Sequence, residues 1–203
     1  MAALTQLDVI NACLATMGES PINEVDADHP FVASALNQLN RSNTLEQSRG
    51  WWFNSDQVKL LPDSTTGYVY LPADCIDIDS PYPSIVKRGN RLYDRTNATY
   101  DLRNFISQTG SPIVTVVIRE VPFADLPMTV QHLVAARTAL DFQADFDGDD
   151  SKYRKLGQEY QQIYNVVGAE DIRHNRVNLL HTPSVQSKLR LIRPISRFAR
   201  RGW

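Results

Sequence analysis

The side chains that could bind a transition metal or act as nucleophiles are few and scattered. The histidines are His29, His132, His174 and His181, and the cysteines are Cys13 and Cys75. No two histidines are spaced to share one helical turn, and no cysteine lies near them to complete a zinc site. The two cysteines also lack a pairing motif, so reduced thiols are expected. We predict neither a metal site nor a disulfide.

The acidic segment 145–150 is the strongest candidate for a cation site. Its aspartates suggest calcium, but an EF-hand register from Asp145 puts Asp150 where glycine is required and Leu156 where a bidentate glutamate is required. The same residues also fit a solvent-exposed loop between two helices. The last carboxylates of that loop would interact favourably with the N-terminus of the second helix.

Motifs of enzymatic chemistry are missing from the sequence. It contains neither a phosphate-binding glycine loop nor a G-x-S-x-G nucleophile elbow. Paired carboxylates could hydrolyse glycosides, but any chain with 23 Asp and Glu residues contains chance pairs. Arg137 lies among the apolar positions of a predicted helix, and we expect it to pair with a carboxylate in or beside a helical bundle. We predict a non-enzymatic protein without a cofactor.

Length and composition favour one compact unit with an insertion. The chain has 203 residues, of which 42% are hydrophobic and 22% charged, as is usual for globular proteins. No apolar run approaches the roughly 20 residues that cross a bilayer. The first residues do not resemble a secretory signal, so we expect the protein to stay in the compartment where it is made.

Four amphipathic helices are predicted, two on each side of a different kind of region. Their approximate ranges are 5–18, 30–49, 127–144 and 151–177. Thr5 is a typical N-cap and Gly18 a typical helix stop, while Pro30 and Pro127 suit first helical turns. Each helix has a single apolar face and therefore needs partners. This pattern predicts a four-helix bundle.

Residues 51–122 show short β-type runs separated by turn residues. The predicted strands are 58–61, 68–71, 85–87, 91–93 and 113–121. The last run is apolar on both faces, which predicts a central strand. The chain is therefore predicted to be α+β, with a bundle formed by 1–50 and 123–180 and an inserted β-rich, sandwich-like domain at 51–122.

The segment 181–203 is predicted to be an extended basic arm. Residues 1–171 contain 13 Lys and Arg against 23 Asp and Glu, whereas 172–203 contain eight Lys and Arg and no acid. On a helical wheel the apolar residues of the arm fall opposite its arginines, a pattern typical of docking segments. The predicted docking residues are Lys188, Arg190, Leu191, Arg193, Ile195, Arg197, Phe198, Arg200, Arg201 and Trp203.

Five separated motifs carry a family resemblance by their order and spacing. They are LDVINACLATMGESPI, ALNQLN, QSRGWWFN, LLPD and RLYDRT, and all lie within residues 5–100. This set resembles the tail tubular protein A family, the head-to-tail adaptors of short-tailed, podovirus-type bacteriophages.

The resemblance implies a structural protein of the virion tail that is made in the host cytoplasm. In that family a ring, typically of about twelve copies, joins the portal protein to a tail nozzle protein of the tail tubular protein B type. Genomic DNA passes through the lumen without sequence-specific binding. An acidic body suits such a conduit because it repels phosphates, although acidic residues also simply solvate a surface.

The residues at the junction of the second helix and the first strand are candidates for a subunit interface or a domain junction. They are Arg49, Gly50, Trp51, Trp52 and Phe53. A ring requires two different adhesive patches on each subunit, which the aromatic residues could supply. They could equally pack inward and anchor the β domain on the bundle. Arg49 and Gly50 also fit an ordinary helix C-terminus.

The basic arm supports two hypotheses. Six Lys and Arg residues between 188 and 201 could neutralise phosphates, which predicts a nucleic-acid-binding protein. DNA does not require the apolar stripe of the arm, however, whereas an acidic protein surface with an apolar groove would use both faces. We therefore favour the portal or a neighbouring subunit as the partner of the arm.

Overall fold

The computed structural model describes residues 3–25 and 29–175. In chain order the elements are α1 Gln6–Thr16, α2 Val32–Gln47, β1 Ser55–Leu60, β2 Cys75–Asp79, β3 Ile85–Arg88, β4 Arg91–Asp94, α3 Arg103–Thr109, β5 Ile113–Arg119, α4 Met128–Phe146 and α5 Asp150–His174. A short 3-10 turn, Phe123–Asp125, precedes α4. The chain is α+β, as predicted. The arm 181–203 and residues 176–180 lie outside the described residues.

Local hydrogen bonds explain where two of the helices begin. The Asp8 amide donates to the Thr5 hydroxyl at 3.2 Å, and the Asp8 carboxylate accepts from the Thr5 amide at 2.8 Å, which forms a capping box. At the start of α5, the Asp149 carboxylate accepts from the amides of Ser151 and Lys152, and these bonds lower the pKa of Asp149. Both the Thr5 cap and the role of the last acidic residues of 145–150 are thereby confirmed.

The predicted position of Pro30 in the first turn of α2 is wrong. Pro30 lies in the turn that precedes the helix, where the Val32 amide donates to the carbonyl of His29 at 3.2 Å. The first helical bond runs from the Ala35 amide to the Phe31 carbonyl. Pro127 immediately precedes Met128, and its carbonyl accepts from the next turn of α4.

α4 is the central helix and packs against α1, α2 and α5. Two clusters of buried side chains hold these helices together. One contains Val9, Leu39, Trp51, Phe123, Leu126, Val130, Leu133, Val134 and Val167. The other contains Ile10, Cys13, Leu14, Val32, Ala35 and Phe142. Burial of this much apolar surface is the main favourable term in holding the helices together.

The five strands form two separate antiparallel sheets. The three-stranded sheet has the order β1-β5-β2, so the prediction that 113–121 contains a central strand is confirmed. β3 and β4 form a hairpin in which Arg88 pairs with Arg91. The sheets share one cluster of buried residues, together with side chains from α3. Its fully buried members are Val69, Leu71, Ile85, Leu92, Leu102, Ile113 and Val117.

Three features of the β region differ from the sequence prediction. The segment 68–71 is not a regular strand, because it meets β4 only through the Tyr70–Arg91 bridge and two flanking backbone bonds. β2 was not predicted because acidic residues occupy alternate positions of this edge strand, which obscures its β propensity. α3 was not predicted because its seven residues are too few for a clear helical period.

Cys13 and Cys75 lie apart in the fold and have free thiols. Cys13 is buried in the helical core, and burial raises the pKa of its thiol to about 12. Cys75 is half-buried in β2, and burial raises its pKa as well. Neither thiol therefore has the lowered pKa of a reactive cysteine.

We predict that Gly50→Ala destabilises the protein more than Gly18→Ala. Both glycines have positive φ, +73° and +77°, so each alanine incurs a strain of about 1–2 kcal/mol. A Cβ at position 50 would also come within 2.9 Å of Ile118 Cδ1, whereas nothing lies within 4 Å of one at position 18. Urea unfolding should show an additional loss of about 1 kcal/mol for Gly50→Ala. Equal losses would mean that Ile118 adapts without cost.

Candidate assembly site at the helix–sheet junction

The predicted junction residues lie where the chain passes from α2 to β1. Trp51 is buried, with 6% of its surface exposed. Its indole Nε1 donates to the carbonyl of Glu46 at 2.7 Å, and its ring meets Tyr164 of α5 edge-on at 5.9 Å. This aromatic residue packs among the helices and anchors the start of the β region to them.

Trp52 and Phe53 are only half-buried and lie beside the C-terminal end of α5. The Trp52 amide donates to the Asp171 carboxylate at 2.9 Å, and its ring stacks on His174 with centroids 4.9 Å apart and planes within 6°. Phe53 meets Trp52 edge-on at 5.5 Å. These contacts fix the C-terminal end of α5 against the helix–sheet junction.

Two buried amide side chains connect the segment entering the β region to the segment leaving it. Gln47 donates to the Val121 carbonyl at 2.8 Å and accepts from the Val121 amide at 2.7 Å. Asn54 donates to the carbonyls of Gln47 and Arg119, both at 3.0 Å, and accepts from the Trp51 amide at 2.8 Å. A buried amide without hydrogen-bond partners destabilises the folded protein. These bonds therefore fix the segment that enters the β region and the segment that leaves it in one arrangement.

Next to these amides lies a buried carboxylate, Glu46, whose side chain is 1% exposed. Its Oε2 lies 3.1 Å from Arg49 Nε, and its Oε1 accepts from the Tyr160 hydroxyl at 2.8 Å and lies 3.7 Å from Arg137 Nη1. Arg137 Nε donates to the Asp141 carboxylate at 2.7 Å. The predicted pairing of Arg137 with a carboxylate of the helices is therefore confirmed.

Two members of this cluster, Tyr160 and Arg137, have raised pKa values. Burial, followed by the hydrogen bond to Glu46, raises the pKa of Tyr160, so its hydroxyl remains a donor. The hydrogen bond to Asp141 raises the pKa of Arg137. The Arg49 guanidinium also lies 4.9 Å from the centre of the Tyr164 ring. The cluster ties α2, α4 and α5 together.

Sequence reasoning missed Glu46, Gln47 and Asn54. In α2 the buried positions continue at helical spacing from apolar residues into polar ones, namely Gln38, Ser42, Asn43, Glu46 and Gln47. This continuation of the period is the signal that could have found Glu46 and Gln47. Because polar side chains on a helix usually face solvent, this signal was not recognised in the sequence.

The predicted docking residues of the arm, from Lys188 to Trp203, lie outside the described residues. Within 3–25 and 29–175, no three His, Cys, Asp or Glu side chains are grouped to hold a metal ion. In the same part of the chain, no helix is both long and apolar enough to cross a membrane.

Comparison with known proteins identifies the family. Residues 7–187 match the family model described as Tube, tail tubular protein, and this chain belongs to that family of bacteriophage tail proteins. It is therefore a structural component of the virion tail and is made in the host cytoplasm. The chain is 27% identical over 184 residues to tail tubular protein A of Klebsiella phage KP34, covering 88% of this chain and 93% of that protein. The resemblance carried by the motifs is confirmed.

We predict that Glu46→Gln lowers the free energy of unfolding by about 1–3 kcal/mol, because Arg49 and Arg137 lose their shared counter-charge. Glu159→Gln is the matched control, since Glu159 is exposed on α5, and it should change stability by less than about 0.5 kcal/mol. Urea unfolding at pH 7 measures both. Similar values for the two variants would show that the cluster contributes nothing specific.

Proposed function

We propose that this tail tubular protein is a head-to-tail adaptor that works as a ring of about twelve copies. The ring joins the portal protein to the tail nozzle protein and forms part of the channel through which genomic DNA leaves the capsid, without sequence-specific binding. Family membership over residues 7–187 supports a role in the tail. The exposed face of α5 is the observation that carries the assembly part of the proposal.

α5 is largely exposed to solvent in the single chain. It has 25 residues, about 38 Å of helix, yet Val167 is its only buried residue. Tyr153, Val166 and Ile172 are 46%, 51% and 61% exposed. Neighbouring subunits would cover this exposed length of helix, including these apolar side chains. Closed rings require such additional surfaces on every subunit.

We further propose the domain organisation predicted from the sequence. Residues 1–50 and 123–180 would form a four-helix bundle, 51–122 a sandwich-like β domain, and 181–203 a basic docking arm. Packing of α4 against the other three long helices supports the bundle. The cluster shared by the two sheets supports the β domain.

The junction residues would hold the β domain at a defined angle to the bundle and present part of the subunit interface. Arg49, Gly50 and Trp51 are engaged within the subunit, while the half-buried rings of Trp52 and Phe53 border solvent. The arm would dock on the portal or on a neighbouring subunit. No catalytic turnover is part of this proposal, because the function would follow from assembly alone.

We predict that removal of 182–203 prevents stable attachment of the adaptor to the portal. The arm combines an apolar stripe with six cations, so its loss should weaken binding at least about tenfold. The full chain and the shortened chain are mixed with purified portal and examined by electron microscopy and native mass measurement. A second variant, with those six Lys and Arg residues replaced by Gln, tests the charge alone.

A ring of the full chain on the portal supports the adaptor role. If the shortened chain attaches equally well, the arm has no part in docking, while the ring itself remains supported. If the full chain neither forms a ring nor binds portal, the adaptor role is wrong.

The alternative function, nucleic-acid binding by the arm, predicts a different result. Phosphate contacts release counterions, so binding of the full chain to duplex DNA should weaken steeply between 50 and 200 mM salt, by about a thousandfold for six contacts. The adaptor hypothesis predicts only weak DNA binding at either salt concentration. Fluorescence anisotropy of a labelled duplex distinguishes the two, with the six-Gln variant as the control.

A further inference from the structure

The β region has two outward faces that point in opposite directions. Its shared core contains Ile85 and Leu92 from the β3–β4 hairpin, and it contains Ile113 and Val117 from the three-stranded sheet. Side chains alternate between the two faces of a strand, so the residues between these core positions point away from the core. Arg88 and Arg91 therefore lie on the outer face of the hairpin, while Asp77 and Asp79 lie on the outer face of the other sheet.

The outer face of the hairpin holds an arginine pair in place. Arg88 and Arg91 are direct cross-strand partners, an arrangement of like charges that is unfavourable by itself. Tyrosine rings lie beneath them: the Arg88 guanidinium is 3.7 Å from the centre of Tyr93, and that of Arg91 is 4.5 Å from Tyr100 and 5.0 Å from Tyr68. Stacking orients the guanidinium groups and leaves their N–H edges available for an anion.

Neither arginine has a carboxylate partner among residues 3–25 and 29–175. Other arginines in the same part of the chain form ion pairs, namely Arg49, Arg103, Arg119, Arg137 and Arg173. Arginine and tyrosine are enriched at the energetic centres of protein interfaces. The hairpin face, defined as Arg88, Arg91 and the three tyrosines beneath them, is therefore organised to meet an acidic surface.

The opposite face carries such an acidic surface. Asp77 and Asp79 are exposed on β2, the edge strand of the three-stranded sheet, and within the described ranges neither forms an ion pair. Asp79 borders an open depression of about 250 Å³ whose floor includes Val114 and Val116. The acidic face, defined as Asp77, Asp79 and this depression, combines carboxylates with an apolar surface.

We propose that the hairpin face of one copy binds the acidic face of the next copy, with Arg88 and Arg91 contacting Asp77 and Asp79. This inference rests on the proposed ring and names one of its contacts. A ring needs two different, complementary patches on separate sides of each subunit, and these two faces meet that requirement. Single-stranded nucleic acid is a poorer occupant, because the arginines cover the tyrosine faces on which bases would stack.

Charge exchange between the two faces tests this contact. One variant carries Arg88→Glu and Arg91→Glu, a second carries Asp77→Lys and Asp79→Lys, and a third carries all four substitutions. Each chain, at full length, is supplied during infection by a phage whose own copy of the gene is interrupted. Each double variant should reduce the yield of infectious particles at least about tenfold, because like charges then face each other. The fourfold variant should recover most of the wild-type yield.

Recovery has to come from contact between copies, since the two faces point away from each other within one chain. Thermal unfolding of the purified chains identifies any variant that fails to fold, and Arg88→Gln with Arg91→Gln provides a milder substitution. A control variant, Arg41→Glu, reverses one exposed arginine of α2 and should leave the yield near that of wild type.

The outcomes separate this contact from the adaptor role. Full yield from a double variant, or failure of the folded fourfold variant to recover, would overturn the contact while leaving the ring in place. Loss of yield by the control equal to that of the hairpin variant would also overturn it. Normal yield without any supplied chain would instead refute the adaptor role itself.

Discussion

The structure depends on one constraint: the chain leaves the helices and returns to them at the same place. Gln47 forms two hydrogen bonds with the backbone of Val121, and Asn54 joins the carbonyls of Gln47 and Arg119. Because these amides are buried, they find their hydrogen-bond partners only when the segment entering the β region and the segment leaving it are both in place. The β region can therefore be inserted between two helix pairs without loosening them.

The charged cluster around Glu46 extends this constraint to α5. Glu46 contacts Arg49 in the turn after α2, Arg137 of α4 and the hydroxyl of Tyr160 of α5. Trp51 and Trp52 add contacts with Tyr164, Asp171 and His174 along the same helix. One side of α5 is thereby held tightly. Its other side remains exposed along most of its length, which suits a protein whose function lies in assembly.

The β region carries positively and negatively charged side chains on opposite faces. Five arginines in the described ranges form ion pairs within the subunit, whereas Arg88 and Arg91 stack on tyrosine rings. Asp77 and Asp79 lie on the opposite side of the same core. The two faces point in opposite directions and cannot pair within one subunit, and we propose that they pair between copies.

Local features of this protein were determined by the sequence alone. The capping box at Thr5, the cap at Asp149 and the central position of β5 follow from neighbouring residues or from an uninterrupted apolar run. The motifs likewise identified the family. Only the tertiary structure decided that Glu46 and Gln47 are buried, that 75–79 is a strand, and which residues face outward together. Gln47 and Val121 are 74 positions apart in the sequence. A buried polar side chain is stable only when it has a hydrogen-bond partner, and folding brings this partner from a distant part of the chain.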